Sequence, residues 1–131
     1  MKQLKRYLQE IFEIQGRLAR GRYWILNLIA FLISIIAQII LIIVALGLYY
    51  ILGKEIDNSA IENIANITDI IIFIPFMLAT LALMYRRSHD VNLPFWLMII
   101  PIFNIFYFVY ISLKKGTIGP NKYGSDLLDK K

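Results

Sequence analysis

Residues Tyr23–Leu52 run for 30 positions without one charged side chain, "YWILNLIAFLISIIAQIILIIVALGLYYIL". No other feature limits the possible folds so strongly. The hydrocarbon core of a bilayer is about 30 Å thick and takes roughly 20 helical residues, so this run must tilt or protrude if it crosses. It is too short for two spans and carries no turn signal in its middle. A cleaved signal peptide is the competing reading, with Ala45 and Gly47 offering a small-x-small site. A signal's apolar region is only about 7–15 residues long, however, so a retained transmembrane helix is expected.

Two more apolar blocks follow. Ile67–Tyr85 is just long enough to cross, with Asp69 near its entrance and Pro75 inside it. Leu93–Leu113 has Pro101 and Asn104 near its middle. Hydrophobic residues make up 59% of the chain, and their gathering into three blocks points to a bilayer rather than to a self-buried core. Cysteine is absent, which excludes a disulfide framework and a thiolate metal site. The net charge of +5 could suggest nucleic acid, but the basic residues flank the apolar blocks as membrane anchors do, so no nucleic-acid partner is expected.

Ahead of the first span, Leu4, Tyr7, Leu8, Ile11 and Phe12 recur at three- and four-residue spacing, with Lys5, Arg6, Gln9, Glu10 and Glu13 opposite. That pattern predicts an amphipathic helix lying in the headgroup layer. The expected fold is therefore an all-α membrane protein: an N-terminal interfacial helix, then a bundle of three transmembrane helices, the third either crossing or re-entrant. As one membrane domain over 1–131 it divides into a basic segment 1–22, spans 23–52 and 67–85, a polar loop 53–66, a charged turn 86–92, a third span 93–113 and a polar tail 114–131.

Lysine and arginine in short flanking segments favour the cytoplasmic side. Segment 1–22 has six of them, loop 53–66 one and turn 86–92 two, which places the N-terminus and the turn inside. Three crossings would then put the five-lysine tail outside, against the same rule. Either the third block re-enters as a hairpin with its tip near Pro101 and Asn104, or the whole chain inverts. Three full crossings are the expectation, because about 20 residues match one span.

In lipid, helices associate through small residues and hydrogen bonds. Asn27, Ala30, Ser34, Ala37, Gln38 and Ala45 form one stripe on the first helix; Thr68, Pro75, Ala79 and Ala82 form another on the second. Pro94, Pro101, Asn104 and Ser112 gather on the third. These faces are expected to pack together. A permeation path through Asn27, Gln38 and Asn104 is the alternative, giving a transporter or channel component, but ion routes usually carry ionisable groups within the span.

The turn "RRSHD" concentrates the remaining chemistry. His89 is the only histidine and Asp90 follows it, a pair that could shuttle a proton at headgroup level. A divalent ion wants three or four protein ligands, and no second histidine or cysteine exists to supply them. No phosphate loop or nucleophile elbow is present either. An enzyme, a metal and a cofactor are accordingly not expected. If the first two blocks cross, Arg17, Arg20 and Arg22 fall on the same membrane face as Arg86, Arg87 and His89. Such a cluster suits anionic lipid or an acidic partner segment, with Asp90 holding one arginine.

Three pieces in order, "GRLARGRYW" at Gly16–Trp24, "RRSHDVNLPFW" at Arg86–Trp96 and "GPNKYG" at Gly119–Gly124, carry a family resemblance. Together they resemble the bacterial membrane proteins grouped as domain-of-unknown-function family 805. The family's Gly-Arg-x-x-Arg-x-x-Tyr-Trp entry is matched by Gly16, Arg17, Arg20, Tyr23 and Trp24, and its Arg-Arg-x-His-Asp turn by Arg86, Arg87, His89 and Asp90. Its closing Asn-x-Tyr-Gly is matched by Asn121, Tyr123 and Gly124. Two places depart: Arg22 stands where a glutamate often precedes Tyr-Trp, and Asn92-Leu93-Pro94-Phe95 replaces a glycine-rich turn. The resemblance implies a small inner-membrane protein of unassigned role, whose three motifs are parts of one assembled surface; binding of anionic lipid, a partner protein or a second copy is the expectation from the basic cluster itself.

Overall fold

The structure is a computed structural model, and it describes residues 2–53, 55 and 57–125. Helix α1 covers Lys2–Phe12, α2 Arg20–Ile51, α3 Asn58–Asp90 and α4 Phe103–Leu113, with a 3-10 turn at Phe95–Ile99. No strand occurs among the described residues, apart from one isolated bridge between Asn121 and Gly124. Among the described residues, only α2 and α3 are long and apolar enough to cross a membrane.

The polar segment 53–66 is not a loop over most of its length. Asp57 caps α3: its carboxylate accepts the amide of Ala60 at 2.7 Å and the Ser59 hydroxyl at 3.0 Å. That satisfies a donor which the first helical turn would otherwise leave open. At the other end, α3 runs on through Arg86–Asp90, so the predicted turn is the last turn of a helix. The helix closes on Asn92, whose φ is +58°. There Leu93 N–H reaches Ser88 O at 3.0 Å and Asn92 N–H reaches His89 O at 3.2 Å. This is a Schellman closure, and asparagine tolerates the left-handed position that glycine usually fills.

The third block departs most from expectation. Instead of one helix over 93–113, it is the 3-10 turn and the 11-residue α4, broken at Pro101–Ile102. Ile102 takes φ +71° and ψ −47°, a conformation that β-branched residues rarely adopt. Eleven helical residues reach about 16 Å, roughly half a hydrocarbon core. Moreover, the two ends of the block meet. Tyr107 donates to Pro94 O at 3.2 Å, and Thr117 N–H donates to Asp90 O at 2.8 Å. The chain leaves the end of α3 and returns to it, which is a hairpin.

The chain divides into two compact units. One comprises residues 1–28 and 79–131, the other 29–78. In the first, Ile11, Leu18, Tyr23, Leu26, Leu83, Met84, Val91 and Ile111 are buried together with arginines. In the second, Ala60, Ile64 and Thr68 are buried, while Ile36, Ile39, Ile43 and Ile70 are more than half exposed. Exposed isoleucine on this scale suits lipid better than water.

Candidate functional site

The motifs converge in the first unit on Asp90, which is 3% exposed. Its position at the last turn of α3 aims the carboxylate at the segment entering α2. Arg17 Nε donates to Asp90 Oδ1 at 3.1 Å, and Arg87 Nη1 donates to Oδ2. Each carboxylate oxygen therefore serves a different arginine, where Asp90 was expected to hold one.

Both arginines are committed well beyond that contact. Arg87 is fully buried, and its Nε donates to Ile111 O at 2.8 Å. Its Nη1 donates to Leu18 O at 3.1 Å and its Nη2 to Lys114 O. One guanidinium thus ties α3 to the entry of α2 and to the return of the hairpin. Arg17 uses all five of its N–H groups: besides Asp90, it donates to Gly119 O at 2.8 Å, Ser125 O at 3.2 Å, and both Thr117 O and Thr117 Oγ1. Only the planar fork of arginine can hold several carbonyls at fixed angles in this way. Buried charge of this kind is tolerable because it is paired and hydrogen-bonded throughout.

The tail completes the clasp. Asn121 Nδ2 donates to His89 O at 3.0 Å and to Thr117 Oγ1 at 2.9 Å, while its Oδ1 accepts Tyr123 N–H at 2.9 Å. Asn121 and Gly124 exchange both backbone bonds, closing a two-residue turn over Lys122 and Tyr123. That turn stacks the Tyr123 ring on His89, with centroids 3.9 Å apart and planes at 6°. The His89 ring also meets the Tyr85 ring edge-on, and its Nδ1 lies 3.3 Å from Gly16 O. Past the apolar stretch that ends at Tyr85, burial holds the His89 imidazole below its ordinary pKa, and nearby Lys122 acts in the same direction. Histidine and aspartate face different neighbours, and no hydrogen bond joins them among the described residues.

Arg86 points elsewhere: Nη1 donates to Glu10 O at 2.9 Å and Nη2 pairs with Glu13 at 3.3 Å. Arg22 pairs with Glu10 at 2.6 Å, so α1 supplies a carboxylate to the position that departs from the family pattern. Arg20 is exposed and donates to Leu113 O at 3.0 Å. Of the residues singled out from sequence, Arg17, Arg87, Asp90 and Asn121 thus form the inner clasp. His89 and Tyr123 stack beside it, Arg86 faces α1, and Arg20 lies at the rim. Two members were missed. Thr117 is a hub for Arg17, Asn121 and Asp90 O. Gly116 leaves space that Asp90 fills: a Cβ there would stand 2.7 Å from Asp90 Cγ and closer still to Oδ2. Nothing in the sequence marks Gly116 off from the other tail glycines.

Of the amides of the predicted permeation path, Asn27 donates to Tyr23 O within its own helix, whereas Gln38 donates across to Thr68 and Asp69 on α3. Among the described residues, no group of three or more histidines or carboxylates could hold a metal ion.

A family model described as a protein of unknown function, DUF805, matches residues 11–125. The chain belongs to the DUF805 family. The matched span begins at the end of α1 and stops at Ser125, whose carbonyl is the farthest acceptor of Arg17. The DUF805 residues therefore enclose the whole clasp. No curated protein and no solved structure matches the chain.

Proposed function

We propose that this DUF805 chain is a non-enzymatic protein of the bacterial inner membrane that binds anionic lipid or a partner protein through a cationic cytoplasmic platform. In this reading α2 and α3 cross the bilayer, α1 lies in the headgroup layer, and the third block re-enters from the cytoplasmic side. The observation that carries it is the returning hairpin. It brings the tail back to Arg17 and Arg87, so that the described residues of that unit hold 11 of the chain's 14 lysines and arginines. The acidic segment Glu55–Glu62 then belongs outside, in keeping with the distribution of positive charge.

The clasp arginines are struts in this account, because their donors are already engaged. Recognition falls to the exposed cations Arg20, Lys115 and Lys122. Each basic group near an anionic surface contributes about 1 kcal/mol. The test is a triple variant, Arg20→Gln, Lys115→Gln and Lys122→Gln, which leaves Asp90 and its partners in place. Native mass spectrometry of the purified protein should show loss of retained anionic lipid, or pull-down should show loss of a partner. If lipids and partners are unchanged, the reading fails.

A further inference from the structure

Within residues 29–78, Gln38 and Asp69 form a polar pair in a groove whose remaining lining is apolar except for Ser34. Gln38 Nε2 donates to Asp69 Oδ1 at 2.6 Å and to Thr68 Oγ1 at 2.9 Å. Thr68 is buried, but Asp69 is exposed, and Gln38 is its only donor among the described residues. The Gln38 carbonyl oxygen is buried without a partner. The pair sits in a groove of about 540 Å³ walled by Ile35, Ile39, Ile70, Phe73 and Phe76.

The depth of this groove creates a conflict. Gln38 lies near the middle of the uncharged stretch of α2, with 13 more residues to Ile51, about 20 Å of helix. If the bilayer is centred on that stretch, Asp69 stands exposed in hydrocarbon, where a carboxylate needs a partner. If instead Asp69 marks the bilayer edge, Ile39, Ile40, Ile43, Val44 and Leu48 project into water, each more than half exposed. Tilting relieves only part of the excess. Either placement leaves the same face in need of cover.

A second copy does not supply it. Residues 29–78 hold one basic residue, Lys54, against Glu55, Asp57, Glu62 and Asp69. A two-fold pairing across this face would set Asp69 against its own equivalent, which is repulsive. A lone basic or amide group is needed on an element whose own backbone bonds are satisfied, and in a membrane that element is a helix.

We propose that this groove receives a transmembrane helix of another protein, apolar along its length and carrying one lysine or arginine level with Asp69. The proposal does not rest on the cationic platform, only on α2 and α3 lying in the membrane. Because the chain lacks cysteine, Ser59→Cys provides a unique labelling site outside the groove. The full chain, labelled there with a donor fluorophore, is reconstituted in vesicles with a synthetic transmembrane helix of leucine and alanine carrying an acceptor. One probe has a single central lysine; the other has leucine in its place.

The lysine probe should associate about tenfold more tightly than the leucine probe, in the range of a buried polar contact between membrane helices. Asp69→Asn and Asp69→Leu should abolish that preference. Gln38→Leu, which keeps the carboxyl group, should preserve it, so a general loss of packing is distinguishable from loss of the partner's cation. Equal binding of the two probes, or a preference that survives Asp69→Leu, overturns the proposal. So does energy transfer between differently labelled copies of the chain that disappears in Asp69→Leu, which would make the occupant a second copy.

Discussion

At Gly116 a hydrogen stands where any other residue would place carbon against a carboxyl group held by two arginines. Asp90 has no room to move aside, because retreating from the added methyl would break its bonds to Arg17 and Arg87. Gly116→Ala should therefore cost about 3–5 kcal/mol, the range for disrupting a buried ion pair, and lower the thermal midpoint in mild detergent. Gly47, in the last two turns of α2 with nothing within 4 Å of its Cβ position, is the control: alanine there should be neutral or stabilising. His89 gives the clasp a pH dependence. Its folded pKa lies below the ordinary 6.5, so the unfolded chain binds more protons at mildly acid pH. The stabilisation is complete above 6.5 and is lost as pH falls through the lowered value. Melting curves between pH 7.5 and 5 should show this decline in the parent, and His89→Phe, which keeps a ring to stack on Tyr123, should flatten it.

At the scale of elements, what the sequence made legible depended on whether the signal was local. The uncharged run of α2 and the apolar block of α3 appear in the structure as helices, because length and hydropathy alone specify them. The start of α3 was also written locally, in the Asp-Asn-Ser of Asp57–Ser59, but the polarity of 58–66 masks a helix that a cap and tertiary burial of Ala60 and Ile64 sustain. The hairpin was legible only as the alternative reading, with its tip near Pro101 and Asn104, where the block does break. Twenty apolar residues match one span, and the distant bonds that turn the chain back, among them those from Arg87 to Ile111 and Lys114 and from Thr117 to Asp90, have no local signature. Likewise the basic residues of the motifs were visible from their pattern, whereas their commitment to backbone carbonyls was not, since carbonyls leave no mark in a sequence. The hairpin is checked by single cysteines at Asn92 and Lys122, both exposed. A membrane-impermeant reagent should reach both from the same side, in inverted vesicles and not in intact cells. Labelling from opposite sides would restore a full third crossing.

For the whole molecule, the distribution of charge and the clasp carry one consequence for synthesis. Residues Ile111–Ser125 supply six of the acceptors that hold Arg17 and Arg87, and they are made after both long helices. A chain ending after Ser112 should still insert α2 and α3, yet it would leave two arginines and Asp90 short of partners in a poorly hydrated place. Such a truncation should accumulate to a lower steady-state level than the parent while a version ending after Ser125 does not, as quantitative immunoblotting would show. The nascent protein thus carries an unfinished site across the whole period of its insertion. Until Gly119 and Ser125 leave the ribosome, its own tail is the ligand for which Arg17 is waiting, and emergence of that tail is the event that closes the fold.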